Sequence, residues 1–371
     1  MSMQHHNGEE ITIDVILKHV SEAFELVKRR EIEGFIRSYN SSMMRSIASS
    51  LIRRFVGKLG YSIEKLEEST YRITAGEKSW SIDFLLYIFQ SRNLSFSLKI
   101  FEDSQSIYEV KKFVRNKVYC ALLDQAPRNI LFDKEDIEYS RLYHEMQRSI
   151  KRSSNAYVLS LRGSRYVLPI NHFEPAVFIH EMGLRDLPSD VVWKINGRDV
   201  VDAGAFVGDS VLVFEKYKPR RVYAFEPIKE NISLMRKTLQ LNNIGNVSII
   251  EAAVGELEGS VKMSFLGSAS SISEQGDRVV DVVTIDRVFK DEGDIAVIKM
   301  DVEGCELPAI KGACKTIKKH KPILLISLYH RGRDFFEIPT LIKSWVPEYK
   351  IKFVNLNHAS PISERLLVAW V

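Results

Sequence analysis

The feature that most constrains the fold is the stretch VVDAGAFVGDS at residues 200–210. A short apolar run ends at Asp202, Gly204 and Gly208 bracket a turn, and an amphipathic stretch, SVLVFEKY, follows. This order predicts a strand, a glycine loop and a helix. Glycine lets the backbone pass close beneath a ligand, and a helix begins with N–H groups that have no partner inside the helix. We therefore expect a ligand-binding turn at the end of a buried strand.

Short apolar runs alternate with helical patterns from residue 166 onward, which is typical of a parallel α/β sheet. We predict strands at about 199–204, 221–226, 247–252, 295–301 and 322–328. The chain closes with IKFVNLN and RLLVAWV, which are separated by a polar loop without a helical pattern. These two runs therefore predict an antiparallel hairpin at one edge of a doubly wound sheet.

The glycine spacing and the nearby charges favour one class of cofactor. Dinucleotide-binding loops usually read G-x-G-x-x-G, whereas Gly204 and Gly208 here enclose Ala205, Phe206 and Val207. Carboxylates at Asp202 and Asp209 repel a pyrophosphate and attract a ligand with a sulfonium and an ammonium group. The sequence therefore predicts S-adenosylmethionine as the cofactor and disfavours NAD.

Further residues complete the predicted cofactor site. Glu226 ends the run RVYAFE, where a carboxylate can accept hydrogen bonds from both hydroxyls of a ribose. The loop after the third strand is expected to lie beside the adenine. The predicted cofactor-binding residues are Asp202, Gly204, Ala205, Phe206, Gly208, Asp209, Ser210, Glu226, Glu251, Ala252 and Ala253.

Candidate catalytic residues follow two later strands, at the sheet edge where ligands of open α/β sheets bind. VIKMDVEG brings Asp301 and Glu303, and ILLISLYH brings His330. A hydroxyl acceptor must lose a proton, so His330 is our candidate general base, with Asp301 or Glu303 orienting it or binding the acceptor. We predict no metal, although a divalent ion bound by these three residues and Glu306 is an alternative.

The first 165 residues show helical patterns, chiefly over 11–60, 105–123 and 134–151, and no catalytic motif. We predict a mainly helical α+β accessory domain at 1–165 that recognises substrate or forms an oligomer, followed by the cofactor-binding domain at 166–371. The first 165 residues carry a net charge of roughly +5 and the remainder about −1. Basic residues gather there in two groups: Lys111, Lys112, Arg115 and Lys117, and Arg148, Lys151, Arg152, Arg162 and Arg165. We interpret them as solvated faces, with an RNA-binding surface as the alternative.

Composition narrows the class of protein. The 371 residues are 45% hydrophobic and 27% charged, as in a globular protein, and no apolar run approaches the roughly 18 residues that span a bilayer. The start is polar, and the three cysteines form no C-x-x-C pair. We therefore expect a cytoplasmic protein without a disulfide framework.

The segments DVVDAGAFVGDS, VYAFEP, VTIDRV, VIKMDVEGCE, AIKGA and ISLYHRGRDFFEIP together resemble the FkbM family of S-adenosylmethionine-dependent methyltransferases. The resemblance covers about residues 166–371. It implies a class I methyltransferase fold, and it implies methyl transfer to an oxygen of a sugar, glycan or secondary metabolite. The resemblance also places Asp301, Glu303 and Glu306 at the reaction mouth. The lead-in segment before the sheet, RYVLPINHFEPAVFIHEMGL, predicts a strand and then a helix that ends near Gly183. Its part NHFEPAVFIHEMGL falls within the resemblance, and there we expect His172, Phe173 and Glu174 to form part of a lid over the cofactor.

Three functions follow from these observations. The first is an O-methyltransferase acting on a small-molecule or glycan acceptor. The second is an RNA methyltransferase that uses the basic N-terminal half. The third is a non-catalytic cofactor-binding protein. The sequence leaves the acceptor open, and it leaves the oligomeric state open between a monomer and a homodimer.

Overall fold

The structure is a computed structural model, and it describes residues 10–25, 70–91, 94–264, 271–272, 278–290 and 293–371. The strands, numbered in chain order, are β1 Glu10–Thr12, β2 Thr70–Arg72, β3 Ser95–Ser97, β4 Gln125–Pro127, β5 Lys151–Ser153, β6 Ala156–Leu161, β7 Ser164–Leu168, β8 Asp199–Ala203, β9 Arg221–Phe225, β10 Val247–Ile250, β11 Ala253–Val254, β12 Gly259–Ser264, β13 Ser271–Ile272, β14 Arg278–Val283, β15 Ile295–Met300, β16 Ile323–Ser327, β17 Lys350–Asn355 and β18 Arg365–Trp370.

The α-helices are α1 Ile13–Glu25, α2 Ala75–Gln90, α3 Ser104–Leu122, α4 Arg128–Leu131, α5 Lys134–Ser149, α6 Pro175–Phe178, α7 Ser189–Trp193, α8 Asp209–Phe214, α9 Lys229–Leu241, α10 Ile285–Val288, α11 Glu306–Lys311, α12 Cys314–His320 and α13 Gly332–Trp345. None of the helices in the described part of the chain is long and apolar enough to cross a membrane.

The described residues group into two compact units. The first draws on residues 1–99 and 107–134, and the second on 100–106 and 135–371. Residues 135–165 thus cluster with the second unit, whereas the sequence pattern predicts that they belong to the N-terminal domain. The accessory role assigned to residues 1–165 stays a prediction.

In the first unit, β1 pairs with β3 and β2 pairs with β4, both antiparallel. Helix α2 begins at a capping box, in which the Thr74 hydroxyl accepts from the N–H of Glu77 and the Glu77 carboxylate accepts from the N–H of Thr74. Helix α1 confirms the first part of the helical pattern predicted over 11–60, and residues 26–60 lie outside the described residues.

In the second unit, seven described strands form one sheet in the order β10-β9-β8-β15-β16-β18-β17. The first five are parallel, and β18 runs antiparallel to both β16 and β17. This confirms the predicted fold: a doubly wound class I methyltransferase sheet that ends in an antiparallel hairpin. Every residue of β8, β15 and β16 is buried, as expected for central strands covered on both faces.

The strand order reverses between β8 and β15, which are neighbours although more than 90 residues separate them along the chain. In open α/β sheets this reversal opens a crevice beyond the carboxyl ends of the two strands, and ligands bind there. The glycine loop follows β8, and the segment from Asp301 to Glu306 follows β15. The topology therefore brings the predicted cofactor loop and the predicted catalytic segment to one place.

Two smaller sheets of the second unit were not predicted. Strands β5, β6 and β7 form an antiparallel sheet, and β11, β14, β12 and β13 form another. The lead-in segment also differs from prediction. Instead of one helix, it forms the short helix α6 and a 3-10 segment in which Met182 and Gly183 have positive φ values of 55° and 88°.

Candidate active site

The glycine loop turns sharply between β8 and α8 through three left-handed residues. Gly204, Phe206 and Gly208 have φ values of 79°, 45° and 80°. A β-carbon on Gly204 would lie 1.9 Å from the carbonyl oxygen of Asp301, and one on Gly208 would lie 2.9 Å from Met235 Cγ. These two positions therefore require glycine both for conformation and for space.

A buried lysine ties the loop to the neighbouring strand. Lys299 pairs in register with Asp202, and its Nζ lies 3.0 Å from Asp202 Oδ1. The same ammonium donates to the Gly204 carbonyl at 2.7 Å, and the Ser210 hydroxyl donates to Asp202 Oδ2 at 2.5 Å. Burial opposes the charged form of Lys299, but Asp202 and Asp301 outweigh it and raise the pKa above the usual lysine value. The group is therefore a permanent cation beneath the loop.

Glu226 lies at the end of β9, where it fastens the loop from the other side. Its Oε2 accepts from the N–H of Phe206 at 3.0 Å, and its Oε1 accepts from the Ile228 N–H at 2.9 Å and from Asn231 Nδ2 at 3.1 Å. Burial is the main cause that raises the pKa of Glu226. Since Oε2 receives one of these bonds, it keeps a lone pair that a ribose hydroxyl could use.

The predicted adenine loop follows β10 and lies beside Glu226, whose N–H donates to Ile250 O at 3.1 Å. Ala252 is buried, whereas the Glu251 side chain is half-exposed with its carboxylate 3.5 Å from Lys229 Nζ. Ala253 begins β11 in the smaller sheet. The structure thus places these residues at the sheet edge next to Glu226, and their contact with an adenine stays a prediction.

The three predicted catalytic residues come together around a buried histidine. His330 is 2% exposed. Its Nε2 lies 3.4 Å from Glu303 Oε2 and 4.0 Å from Asp301 Oδ1, and its Nδ1 lies 2.9 Å from Glu306 Oε1. Glu306 Oε1 also accepts from the N–H of Val302 at 3.0 Å. His330 therefore lies between Glu306 on one side and Glu303 and Asp301 on the other.

The protons of this cluster are distributed unevenly. Burial alone would lower the pKa of His330, but Glu306, Glu303 and Asp301 outweigh it and raise the pKa to about 10. Burial and the nearby carboxylates raise the pKa of Glu303 to about 8, although His330 opposes the rise. The pKa of Glu306 is lowered because the charge and hydrogen bond of His330 outweigh burial. Burial and the charge of Glu306 raise the pKa of Asp334 to about 9. Near neutral pH the cluster holds an imidazolium–carboxylate pair and neutral Asp334, with Glu303 close to its titration point.

Backbone conformation aims Glu303 at this pair. Glu303 and Gly304 are consecutive left-handed residues, with φ values of 53° and 91°. A β-carbon on Gly304 would lie 2.8 Å from Arg331 Nε. A non-glycine residue in this conformation is uncommon and clusters at functional sites, where its surroundings hold it.

Three of the four residues of the alternative metal site lie close together in the structure. Asp301, Glu306 and His330 could each offer one ligand atom within 4.8 Å of the others. Glu306 Oε1 and His330 Nδ1 already bond to each other, so the geometry fits an ion pair without requiring a metal. The sequence prediction that no metal takes part, and the alternative with these residues and Glu303, both stay predictions.

The three lead-in residues separate into two roles. The His172 ring packs 4.9 Å from the Phe206 ring, and its Nε2 lies 3.6 Å from Glu174 Oε1 and 3.9 Å from Asp209 Oδ2. Phe173 instead is 3% exposed and belongs to the hydrophobic core. His172 and Glu174 thus lie over the glycine loop, and their closing over a cofactor stays a prediction.

One acidic residue of the site was missed by the sequence analysis. Glu364 accepts a hydrogen bond from the Tyr329 hydroxyl at 2.9 Å, and the Tyr329 ring lies 3.9 Å from that of His330. Burial and the charges of Glu174 and Asp301 raise the pKa of Glu364 to about 8. Glu364 ends the polar loop between β17 and β18, and a single glutamate in a polar loop gives no sequence signal of function.

The two basic groups differ in exposure. In the first unit, Lys112 and Lys117 are buried, and Lys112 Nζ lies 2.7 Å from Asp133 Oδ2. Only Lys111 of that group is fully exposed and Arg115 is partly buried, so the group is not a continuous solvated cationic face. The second group lies in the second unit and is exposed throughout, at Arg148, Lys151, Arg152, Arg162 and Arg165.

Comparison with known proteins agrees with the predicted family. Residues 202–349 match the family model described as the methyltransferase FkbM domain. No curated protein matches the chain. Among solved structures, a methyltransferase FkbM from Methylobacillus flagellatus KT is 22% identical with a TM-score of 0.48, over 79% of this chain and 61% of that one. The chain thus spans less than two thirds of that relative's length.

Two further solved structures are more distant. An rRNA methylase from Streptococcus thermophilus is 16% identical with a TM-score of 0.31, over 48% of this chain and 90% of that one. A tRNA (uracil-54, C5)-methyltransferase from Pyrococcus abyssi, solved in complex with S-adenosyl-L-homocysteine, is 15% identical with a TM-score of 0.35. That alignment covers 58% of this chain and 44% of that one.

Proposed function

We propose that this chain, which carries a methyltransferase FkbM domain over residues 202–349, transfers a methyl group from S-adenosylmethionine to a hydroxyl oxygen of a sugar, glycan or secondary metabolite. The observation that carries the proposal is the meeting of two segments at the switch point of the sheet. A glycine loop fastened by Glu226 and Lys299 lies directly against the segment that bears Asp301 and Glu303.

The residues around the loop fit the proposed cofactor. Because Gly204 has no β-carbon, the loop can lie directly against the backbone of Asp301. Glu226 has acceptor capacity for a ribose hydroxyl, and buried Asp209 offers a carboxylate to a cationic group. When bound, S-adenosylmethionine supplies a methyl group on a positively charged sulfur, which an oxygen nucleophile can take by in-line displacement.

We assign proton removal from the acceptor to the pair of Glu303 and His330. Glu303 has a pKa of about 8, so roughly a tenth of it is the proton-accepting carboxylate at pH 7 and about half at pH 8. His330 is held protonated by Glu306, and its Nε2 lies 3.4 Å from Glu303 Oε2. In this assignment the acceptor hydroxyl gives its proton to the Glu303 carboxylate, and the imidazolium stabilises the neighbouring charge. His330 as the base itself requires prior loss of a proton whose pKa is about 10.

The charge of the acceptor side favours a neutral acceptor. Asp301, Glu303 and Glu364 lie around His330, and Glu174 lies close enough to act on Glu364. Burial and the neighbouring carboxyl groups already raise the pKa of Glu303 and Glu364 to about 8, so a polyanion such as RNA would bring more negative charge to a place where negative charge is already disfavoured. A hydroxylated neutral ligand can instead donate hydrogen bonds to the same carboxylates.

Methyl transfer from S-adenosylmethionine labelled on the methyl group tests the proposal. The acceptors are a panel of neutral glycosides and glycans, with total RNA as a separate arm. We expect label in a glycoside or glycan, at a rate reduced by about 100-fold or more in Glu303→Gln. Glu348→Gln, an exposed carboxylate paired with Lys321, is the matched control and should keep full activity.

Each other outcome selects a different function. Label in RNA alone would establish the nucleic-acid alternative and contradict the proposal. Binding of the cofactor without transfer to any member of the panel would favour the non-catalytic alternative.

A further inference from the structure

The proposed function leaves unexplained why a lysine is buried in the central strand β15. The Lys299 side chain is 9% exposed, and the Asp202 side chain beside it is fully buried. Burying an ion pair gains little over burying apolar residues of similar size, because both groups lose their hydration. The ion pair therefore contributes little to stability. Its position beneath the glycine loop indicates a role in ligand binding.

The hydrogen bonds of the Lys299 ammonium leave one donor over. A lysine ammonium has three N–H groups. Among the described residues, it donates a hydrogen bond to the Gly204 carbonyl at 2.7 Å and forms an ion pair with Asp202 Oδ1 at 3.0 Å. The charge also lies within electrostatic reach of Asp209 and Glu226. The Lys299 ammonium therefore lies at the base of the glycine loop, near Asp209 and Glu226, and has an N–H left to donate to a ligand.

The amino-acid end of the proposed cofactor carries both an ammonium and a carboxylate. The carboxyl groups of Asp209 and Glu174 can accept hydrogen bonds from the ammonium, but in their ionised form they repel the cofactor's own carboxylate. That carboxylate needs a cation or N–H donors, and a charge-assisted bond to a buried ammonium is among the stronger ones available.

We propose that Lys299 binds the methionine carboxylate of the cofactor with its third N–H, while the other two hold Asp202 and the Gly204 carbonyl in place. Lys299 is then a cofactor-binding residue as well as a support for the loop. This inference rests on the proposed function, since it takes S-adenosylmethionine as the ligand.

Calorimetric titration with two ligands tests the inference. S-adenosylhomocysteine carries the ammonium and the carboxylate, whereas its decarboxylated analogue keeps the ammonium and lacks the carboxylate. The variants are Lys299→Met and the double variant Asp202→Asn/Lys299→Met, which removes both charges of the buried pair and so keeps the test valid if the single variant fails to fold. Lys216→Met removes a lysine that is ion-paired with Glu181 outside the site and serves as the matched control.

We expect the preference of the wild type for S-adenosylhomocysteine over the analogue to fall about tenfold or more in both lysine variants. It should stay unchanged in Lys216→Met. An equal loss of affinity for both ligands would overturn the inference, because Lys299 would then act only on the shape of the loop. Unchanged affinity for both ligands would also overturn it. If the wild type binds neither ligand, the proposed function fails and this inference fails with it.

Discussion

The close contact between Gly204 and the segment after β15 makes Gly204→Ala a demanding test of the site. The new β-carbon would lie 1.9 Å from the Asp301 carbonyl oxygen, whereas ordinary contacts lie at 3.4–4 Å. Asp301 cannot move freely, because its N–H donates to Ala203 O at 3.0 Å. Alanine in the left-handed region costs about 1–2 kcal/mol, and overpacking adds about 1–3 kcal/mol. We therefore expect the free energy of unfolding to fall by about 3 kcal/mol.

Gly197→Ala separates the two contributions. Gly197 has a φ of 74°, close to the 79° of Gly204, but a β-carbon there meets nothing within 4 Å. It should therefore lose only the conformational contribution, about 1–2 kcal/mol. Urea unfolding of the wild type and both variants gives the comparison, and titration with S-adenosylhomocysteine shows whether the loop keeps its shape. We expect binding to be lost in Gly204→Ala and kept in Gly197→Ala. Equal stability of the two variants, with binding intact in both, would refute the contact argument.

Three further predictions concern the charged groups of the site. Methyl-transfer activity should rise with pH up to about 8, the pKa of Glu303, and level off above it. The residual activity of Glu303→Gln should lack this rise. A wild-type profile that is flat between pH 6 and 9 would argue against Glu303 as the proton acceptor. His330 has a pKa of about 10 in the fold and 6.5 as its ordinary value, so its stabilising contribution is complete below pH 6.5 and lost as pH rises through about 10. Urea unfolding across this range should show stability falling more steeply in the wild type than in His330→Gln, and parallel curves would contradict the ion pair with Glu306. Glu226→Gln should weaken binding of S-adenosylhomocysteine about tenfold. Both Glu226 oxygens accept hydrogen bonds from backbone N–H groups, and the NH₂ of a glutamine would face one of these donors and could not accept from it. Unchanged affinity in a titration would remove Glu226 from the cofactor site.

The sequence predicted the parallel strands and the closing hairpin because both depend on local patterns. A mostly apolar run bounded by turns identifies a buried strand such as β16, and two runs without a helix between them identify the hairpin of β17 and β18. The placement of Gly204, Gly208 and Glu226 at the sheet edge follows from the same reasoning. The small sheet of β5, β6 and β7 was missed because its first strand, Lys151–Ser153, is exposed and polar.

The roles of the charged residues depend on distances that no local pattern contains. Lys299 and Asp202 are partners only because β15 lies beside β8 in a particular register. The proton on His330 is set by Glu306, which is 24 residues away in the chain and 2.9 Å away in space. Glu364 reaches the site only because the hairpin of β17 and β18 pairs with β16, so its position depends on strand pairing that a local sequence pattern does not contain.

The most direct test of the central claim is calorimetric titration of the purified chain with S-adenosylhomocysteine, S-adenosylmethionine and NAD, repeated on Glu226→Ala. The account predicts that both adenosyl ligands bind, that NAD does not, and that the variant loses about 1.5 kcal/mol or more of binding free energy. Binding of NAD without binding of either adenosyl ligand would contradict the cofactor assignment and return the loop to dinucleotide chemistry.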